Sequence, residues 1–198
     1  MDTATLEQPD SRRRALVVAS GVTAGIALVA TAVPFVASMN PSERARAGTA
    51  PVEVDFSTLE PGALAAVEWR GRPVWILHRT EEMIRELGDH DDLLLDPRSQ
   101  QSNQPEYCLN ATRSIKPEFF VTSALCTHLG CIPLYRPDGG GVRLGEAHAG
   151  FYCPCHGSRF DTAGRVAKNV PAPRNLEIME HAYLSDARLL IGAGLKGA

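Results

Sequence analysis

The chain has 198 residues, 44% hydrophobic and 22% charged, the make-up of a folded protein slightly longer than one average domain, which excludes disorder as its overall state. A net charge of −3 excludes broad nucleic-acid binding, which calls for a basic face and a basic balance. Five cysteines are too few for a disulfide-framework miniprotein, and their odd number leaves at least one outside any set of pairs.

From Ala15 to Ser42 there are 28 residues without a charge, directly after Arg12, Arg13 and Arg14. As a helix, Ala15 to Val33 alone covers about 28 Å, and continuation through Met39 exceeds the ~30 Å hydrocarbon core of a bilayer. The pattern predicts a cytoplasmic N-terminus over 1–14, one membrane span over 15–39, and a C-terminal body on the far side, because the arginines precede the span. Ser11-Arg12-Arg13 before an apolar stretch resembles a twin-arginine export signal, used by proteins that load a cofactor before crossing. Arg14-Ala15-Leu16 departs from that pattern in lacking the aromatic often found after the pair. The competing reading is a cleavable signal ending at Ala45-Arg46-Ala47; apolar regions of such signals run about 7–15 residues, so the length favours a retained anchor. Gly21 and Gly25 form a GxxxG pair that lets another helix approach closely, a weak signal in an alanine-rich anchor. Asn40-Pro41 ends the helix, and the small, polar stretch to Ala50 makes 40–50 a flexible tether on which the body can move.

Beyond Pro51 the pattern turns to short strands, a mainly β head over 51–198 without a repeat or second domain. Val52, Val54 and Phe56 alternate; Ala65–Trp69 and Val74–Leu77 flank a hairpin turn at Arg70-Gly71-Arg72-Pro73. Thr80 N-caps a short helix through Leu87, with Glu81 and Glu82 in its first turn. Asp89 to Ser114 reads as a polar surface excursion, and Phe119 to Ala124 as a strand leading to Cys126. Further strands are expected at Arg165–Lys168, Leu176–Ile178 and Arg188–Ile191, the last two joined around Leu184–Ala187.

Four cysteines fall in two clusters, Cys126-Thr127-His128-Leu129-Gly130-Cys131 and Cys153-Pro154-Cys155-His156-Gly157-Ser158. Thiolates and imidazoles on two turns indicate a metal site, either structural zinc or a 2Fe–2S cluster with cysteines on one iron and histidines on the other. Four-cysteine zinc would need Cys153 and Cys155 to chelate at C-x-C spacing, tighter than usual, and would leave both histidines unused. C-x-H and C-x-x-H instead supply one thiolate and one imidazole per loop. Cys131 and Cys155 are then left over, able to form a disulfide in an oxidising compartment.

With these paired motifs the sequence resembles the Rieske iron–sulfur subunits of quinol:cytochrome c oxidoreductase, the cytochrome bc complex, and among them the bacterial members most. The likeness extends over the anchor, the tether and nearly the whole head. Asn169-Val170-Pro171-Ala172-Pro173-Arg174-Asn175-Leu176 looks like the proline loop that covers the family's cluster. The resemblance implies an all-β antiparallel sandwich with a small cluster-binding subdomain at about 124–175, behind one transmembrane helix and a tether. It implies one Rieske-type 2Fe–2S cluster, with Cys126 and Cys153 on the inner iron and His128 and His156 on the outer iron through Nδ1. A Cys131–Cys155 disulfide, a Ser158 hydroxyl donating to a cluster sulfide, and Leu129 on the quinol-docking surface are implied in the same way. So are the catalytic roles of His156 and His128, with His156 Nε2 accepting the quinol proton, and the partners: cytochrome b and a c-type cytochrome in a dimeric complex, quinol (ubiquinol by the resemblance), and membrane lipid around 15–39. The location implied is the bacterial inner membrane, with the head periplasmic. Two positions depart from the family: Phe160 stands where many members carry a tyrosine that donates to a ligand sulfur, and Val170 where glycine is frequent.

The remaining chemistry-bearing residues have plainer readings. Cys108 packs as a small hydrophobe, Trp69 and Trp75 are core, and His78 is packing or surface. His90, His148 and His181 are expected to be solvated, and Asp89, Asp91 and Asp92 a solvated turn. The rival functional readings are the Rieske small subunit of another exported oxidoreductase, of the arsenite-oxidase kind, and a membrane-anchored zinc module.

Overall fold

The computed structural model describes residues 11–43, 48, 50–142 and 148–193. It divides into two compact units, 1–47 and 48–198. In the first, α1 (Ser11–Ser38) is long and apolar enough to cross a membrane, and all its side chains are exposed. Within its apolar run, the Thr23 and Thr31 hydroxyls bond back along the helix, to Ala19 O at 3.0 Å and Ala27 O at 2.8 Å, so neither needs water. Arg12, Arg13 and Arg14 lie within the described helix at its N-terminal end, and the helix ends before Asn40-Pro41 as the proline requires. Residues 1–10, part of the tether (44–47 and 49) and the alternative cleavage site Ala45-Arg46-Ala47 lie outside the described residues.

Among the described residues of the second unit, nine strands form three antiparallel three-stranded sheets. The first joins β1 (Val52–Asp55), β9 (Arg188–Ile191) and β8 (His181–Tyr183) in the order β1-β9-β8. The second is β2 (Leu64–Trp69), β3 (Arg72–His78) and β4 (Phe119–Ser123); the third is β5 (Leu134–Arg136), β6 (Gly150–Tyr152) and β7 (Arg159–Asp161). The second sheet is the middle layer, and β3 shows why. Val74 and Ile76 enter one buried cluster with Phe56, Val121, Leu189 and Ile191, whereas Trp75 and Leu77 enter another with Phe120, Phe151 and Phe160. A strand buried on both faces reads as a continuous apolar run, here Val74-Trp75-Ile76-Leu77. Trp75 stacks on Phe151 with ring centroids 5.1 Å apart and fastens the middle layer to the third sheet.

Several sequence expectations hold. Thr80 caps α2 (Glu81–Glu86), its hydroxyl accepting from the Met83 N–H at 3.2 Å. The β2–β3 hairpin turns on Arg70 and Gly71, both left-handed, with φ of 54° and 70°. Arg72 and Pro73, expected in that turn, already belong to β3. Trp69, Trp75 and Cys108 are buried, and His78 is half-buried.

Others are corrected. The stretch from Asp89 to Ser114 is no simple surface excursion: His90, Leu94, Ser99, Cys108, Arg113 and Ser114 are buried. Polar residues are its internal fastenings, as where Arg113 donates to Ala163 O at 2.9 Å and Leu176 O at 2.8 Å. Arg165–Lys168 and Leu176–Ile178 form no named strands, only the isolated bridges Phe160↔Val166, Leu94↔Ala167 and Thr122↔Ile178. The partner of β9 is β8, beginning at His181, so the turn around Leu184–Ala187 joins those two strands. His90 and His181 are buried rather than solvated, each against a partner distant in sequence: His90 Nε2 meets Asp161 and the His181 N–H donates to Tyr107 Oη. His148 is half-buried beside Glu86. Asp89 and Asp92 are exposed as expected, but Asp91 pairs with the buried Arg165 at 2.8 Å.

Candidate metal centre

β4 delivers the chain to the first cysteine loop, 126–131, and β5 takes it away; the second loop, 153–158, is the tip of the β6–β7 hairpin. Both loops close in the same way. The Cys126 N–H donates to Cys131 O at 2.7 Å and the Gly130 N–H to Cys126 O at 2.9 Å. In the second loop the Cys153 N–H donates to Ser158 O at 2.8 Å and the Gly157 N–H to Cys153 O at 2.9 Å. The fifth residue of each turn is left-handed, Gly130 at φ 79° and Gly157 at 78°, which is why glycine stands there. Each first cysteine is thereby held at the root of a six-residue turn, with its backbone committed and its sulfur pointing inward.

The loops meet. Cys131 and Cys155 are joined in a disulfide, with Cα atoms 6.7 Å apart. The sulfurs of Cys131, Cys153 and Cys155 lie within 4.8 Å of one another, but two of them are spent on that bond. Four-thiolate zinc is therefore excluded, since only Cys126 and Cys153 remain as thiols in the two loops. Both are buried, 3% and 2% exposed, in the cluster that contains Phe160. As a free thiol Cys126 is pushed up, mainly by burial and also by Cys153, against pulls from the His128 backbone and the Ser158 hydroxyl. Above them the His128 and His156 rings stand edge to face with centroids 4.8 Å apart. His128 is half-buried, His156 exposed, and Leu129 beside them 73% exposed.

A third segment closes the side. The buried Ser158 hydroxyl accepts from the Ala172 N–H at 3.0 Å, which leaves its own proton free to donate. Thr127 Oγ1 donates to Arg174 O at 2.5 Å and ties the first loop to 169–176. Asn169 takes a left-handed φ of 58°, so the residue before Val170 makes the turn and Val170 itself packs half-buried against the core. All the motif residues singled out in the sequence thus meet at one tip. Sequence reasoning missed Thr127 and the Ala172 N–H; the latter is a backbone group with no sequence signal.

The description "Rieske [2Fe-2S] domain" belongs to the family model that matches residues 54–180, and a second model, "Ubiquitinol-cytochrome C reductase Fe-S subunit TAT signal", matches residues 2–42. The chain is 58% identical over 182 residues to the ubiquinol-cytochrome c reductase iron-sulfur subunit of Allochromatium vinosum, covering 91% of this chain and 88% of that one. It is 36% identical to the subunit of the same name from Bradyrhizobium diazoefficiens, over 97% of this chain and all of the other. Among solved structures it is similar to a chain of a hyperthermophilic respiratory Complex III, at 24% identity and a TM-score of 0.46, over 87% of this chain and 98% of that one. The cofactor of this domain is a Rieske-type 2Fe–2S cluster, and a donor set of two buried thiols beneath two presented imidazoles suits it. From the site outward, the chain belongs to the Rieske iron–sulfur family, among the membrane-anchored iron–sulfur subunits of ubiquinol–cytochrome c reductase.

Proposed function

We propose that this chain takes one electron, coupled to one proton, from quinol and passes the electron to a c-type cytochrome within a respiratory cytochrome bc complex. The reading is carried by the tip: two imidazoles 4.8 Å apart, with His156 and Leu129 open to solvent, over two buried thiols. Cys126 and Cys153 would hold the inner iron, His128 and His156 the outer. When bound, the cluster supplies a one-electron acceptor whose potential is raised by its neutral histidine ligands.

An imidazole that ligates through Nδ1 keeps Nε2 for a proton. Unprotonated His156 Nε2 accepts a hydrogen bond from the quinol hydroxyl and takes its proton, while Leu129 gives the surrounding surface the apolar character a quinone ring needs. His128 is the second presented ligand. Ser158, its oxygen already engaged by the Ala172 N–H, would have its own proton to donate to the cluster. The names of the relatives favour ubiquinol as the substrate and a cytochrome c as the acceptor; cytochrome b as a further partner and a dimeric complex complete the reading. The quinol's second electron would pass to the b-type cytochrome partner. Residues 1–14 lie in the cytoplasm, 15–39 span the bacterial inner membrane among lipid, 40–50 form the tether, and 51–198 are the periplasmic head, with its cluster-binding part at about 124–175. The head moves on its tether between donor and acceptor. Catalysis belongs to the assembled complex.

His156→Ala in the assembled complex tests this. The expected result is loss of the reduced-cluster EPR signal together with quinol–cytochrome c reduction. A variant that keeps a normal, fully active cluster overturns the ligand assignment.

A further inference from the structure

Three sulfurs crowd the junction of the two cysteine loops: those of Cys131, Cys153 and Cys155 lie within 4.8 Å of one another. Two of them are bonded to each other, and the third, Cys153, is a thiol. A thiol that close to both ends of a disulfide is placed for thiol–disulfide exchange, which needs a nucleophilic sulfur with access to a bonded one. Cys126, the other thiol of the two loops, is not among the three. The surroundings of the three sulfurs differ. Cys153 is 2% exposed, Cys131 half-buried and Cys155 exposed. Attack at Cys131 expels the sulfur that water stabilises best, that of Cys155, and a stabilised leaving sulfur departs faster. Attack at Cys155 would instead bond two residues separated only by Pro154, whose ring fixes the backbone between them, and would leave the loops without a covalent tie.

We propose that Cys153 is the nucleophile of a disulfide isomerisation that converts Cys131–Cys155 into Cys131–Cys153 once the cluster is removed. The Cys153 sulfur bonds to that of Cys131 as the Cys131–Cys155 bond breaks, and the proton of the Cys153 thiol ends on the Cys155 sulfur. One S–S bond is exchanged for another, so neither oxidant nor reductant takes part. The inference rests on the proposed ligand set, in which Cys153 is committed to iron and is thereby kept from the disulfide. The isomer keeps a covalent tie between the two loops but withdraws one of the two buried thiols that the cluster needs. Cys126 is then the only buried thiol left in the loops, and the freed Cys155 sulfur faces water. A chain that has lost its cluster and isomerised therefore cannot be reloaded until its disulfide is reduced.

The test uses the full-length, cluster-loaded chain in detergent. It is stripped with an iron chelator under argon, without thiol reductant, and held for minutes to hours, the span of uncatalysed disulfide rearrangement. Stripped and untreated samples are quenched with excess N-ethylmaleimide in denaturant and mapped, unreduced, by tandem mass spectrometry, in which cleavage at the Pro154 bond tells Cys153 from Cys155. The untreated sample is expected to give Cys131–Cys155 with Cys153 alkylated. In the stripped sample a Cys131–Cys153 peptide with Cys155 alkylated accumulates at its expense. Reloading by iron and sulfide falls in step and returns after dithiothreitol. A stripped sample that keeps Cys131–Cys155 with Cys153 alkylated, or whose new disulfide contains Cys126, overturns the isomerisation and leaves the ligand set standing. A Cys153→Ser chain that keeps the parent's visible spectrum overturns the ligand set, and with it the shielding of the disulfide by the cluster.

Discussion

Ser158 and Phe160 face the same problem with different means, since a reduced cluster carries added negative charge and every donor aimed at it raises the potential. Ser158 is buried and its oxygen is filled by the Ala172 N–H, so its proton is available to the site. Phe160, equally buried in the cluster that holds both thiols, has no proton to offer where the family resemblance puts a tyrosine. Phe160→Tyr is therefore expected to raise the midpoint potential in an EPR-monitored redox titration of the loaded protein; a potential unchanged or lowered would remove the lost donor as an explanation. The two motifs were legible as a constellation at this scale because cysteine and histidine spacing is local. The fates of His90 and His181 were not. Whether an imidazole is solvated or buried is decided here by Asp161, 71 residues on from His90, and by the Tyr107 ring, which packs edge-on to His181 from 74 residues before it.

Elements were legible where the chain signals locally. Thr80 with two acidic residues marked the start of α2, and an Arg-Gly pair between apolar runs marked the β2–β3 turn. The segment 89–114 was misread because its fastenings are arginine and asparagine side chains bonded to backbone carbonyls, which hydropathy counts as surface. Strands β5, β6 and β7 have three residues each, too short for a period to show. Across these short strands the Cys131–Cys155 bond is the covalent tie between the two loops, spanning 24 residues. Closing a loop of that length limits the unfolded chain by about 3.5 kcal/mol. The double variant Cys131→Ser, Cys155→Ser should lose its visible cluster absorption at correspondingly lower urea concentration than the parent. Coincident midpoints would mean that the hydrogen bonds of Thr127 and Ser158 to 169–176 hold the loops unaided.

For the molecule as a whole, layers packed on both faces of the middle sheet leave few places for a titratable ring with an unpartnered nitrogen, and His181 occupies one. It is wholly buried at the start of β8, with Nδ1 2.7 Å from Met179 O and Nε2 unpartnered among the described residues. Burial is the chief reason that its pKa falls below the ordinary 6.5, outweighing the opposing hydrogen bond to Met179, so the folded head holds this ring neutral. The unfolded chain binds the proton more readily. The contribution of His181 is thus present above pH 6.5 and is lost as pH falls below it towards the folded value. One proton limits that slope to about 1.4 kcal/mol per pH unit. Asp161 acts in a separate window, because its folded pKa is depressed from 3.8 and its contribution goes only below that value. Urea unfolding of the loaded head, followed by tryptophan fluorescence between pH 7.5 and 5, should therefore show stability falling from about pH 6.5 downward, and His181→Gln should flatten that limb. A fall of equal steepness in His181→Gln would transfer the effect to another histidine and leave His181 a silent core residue.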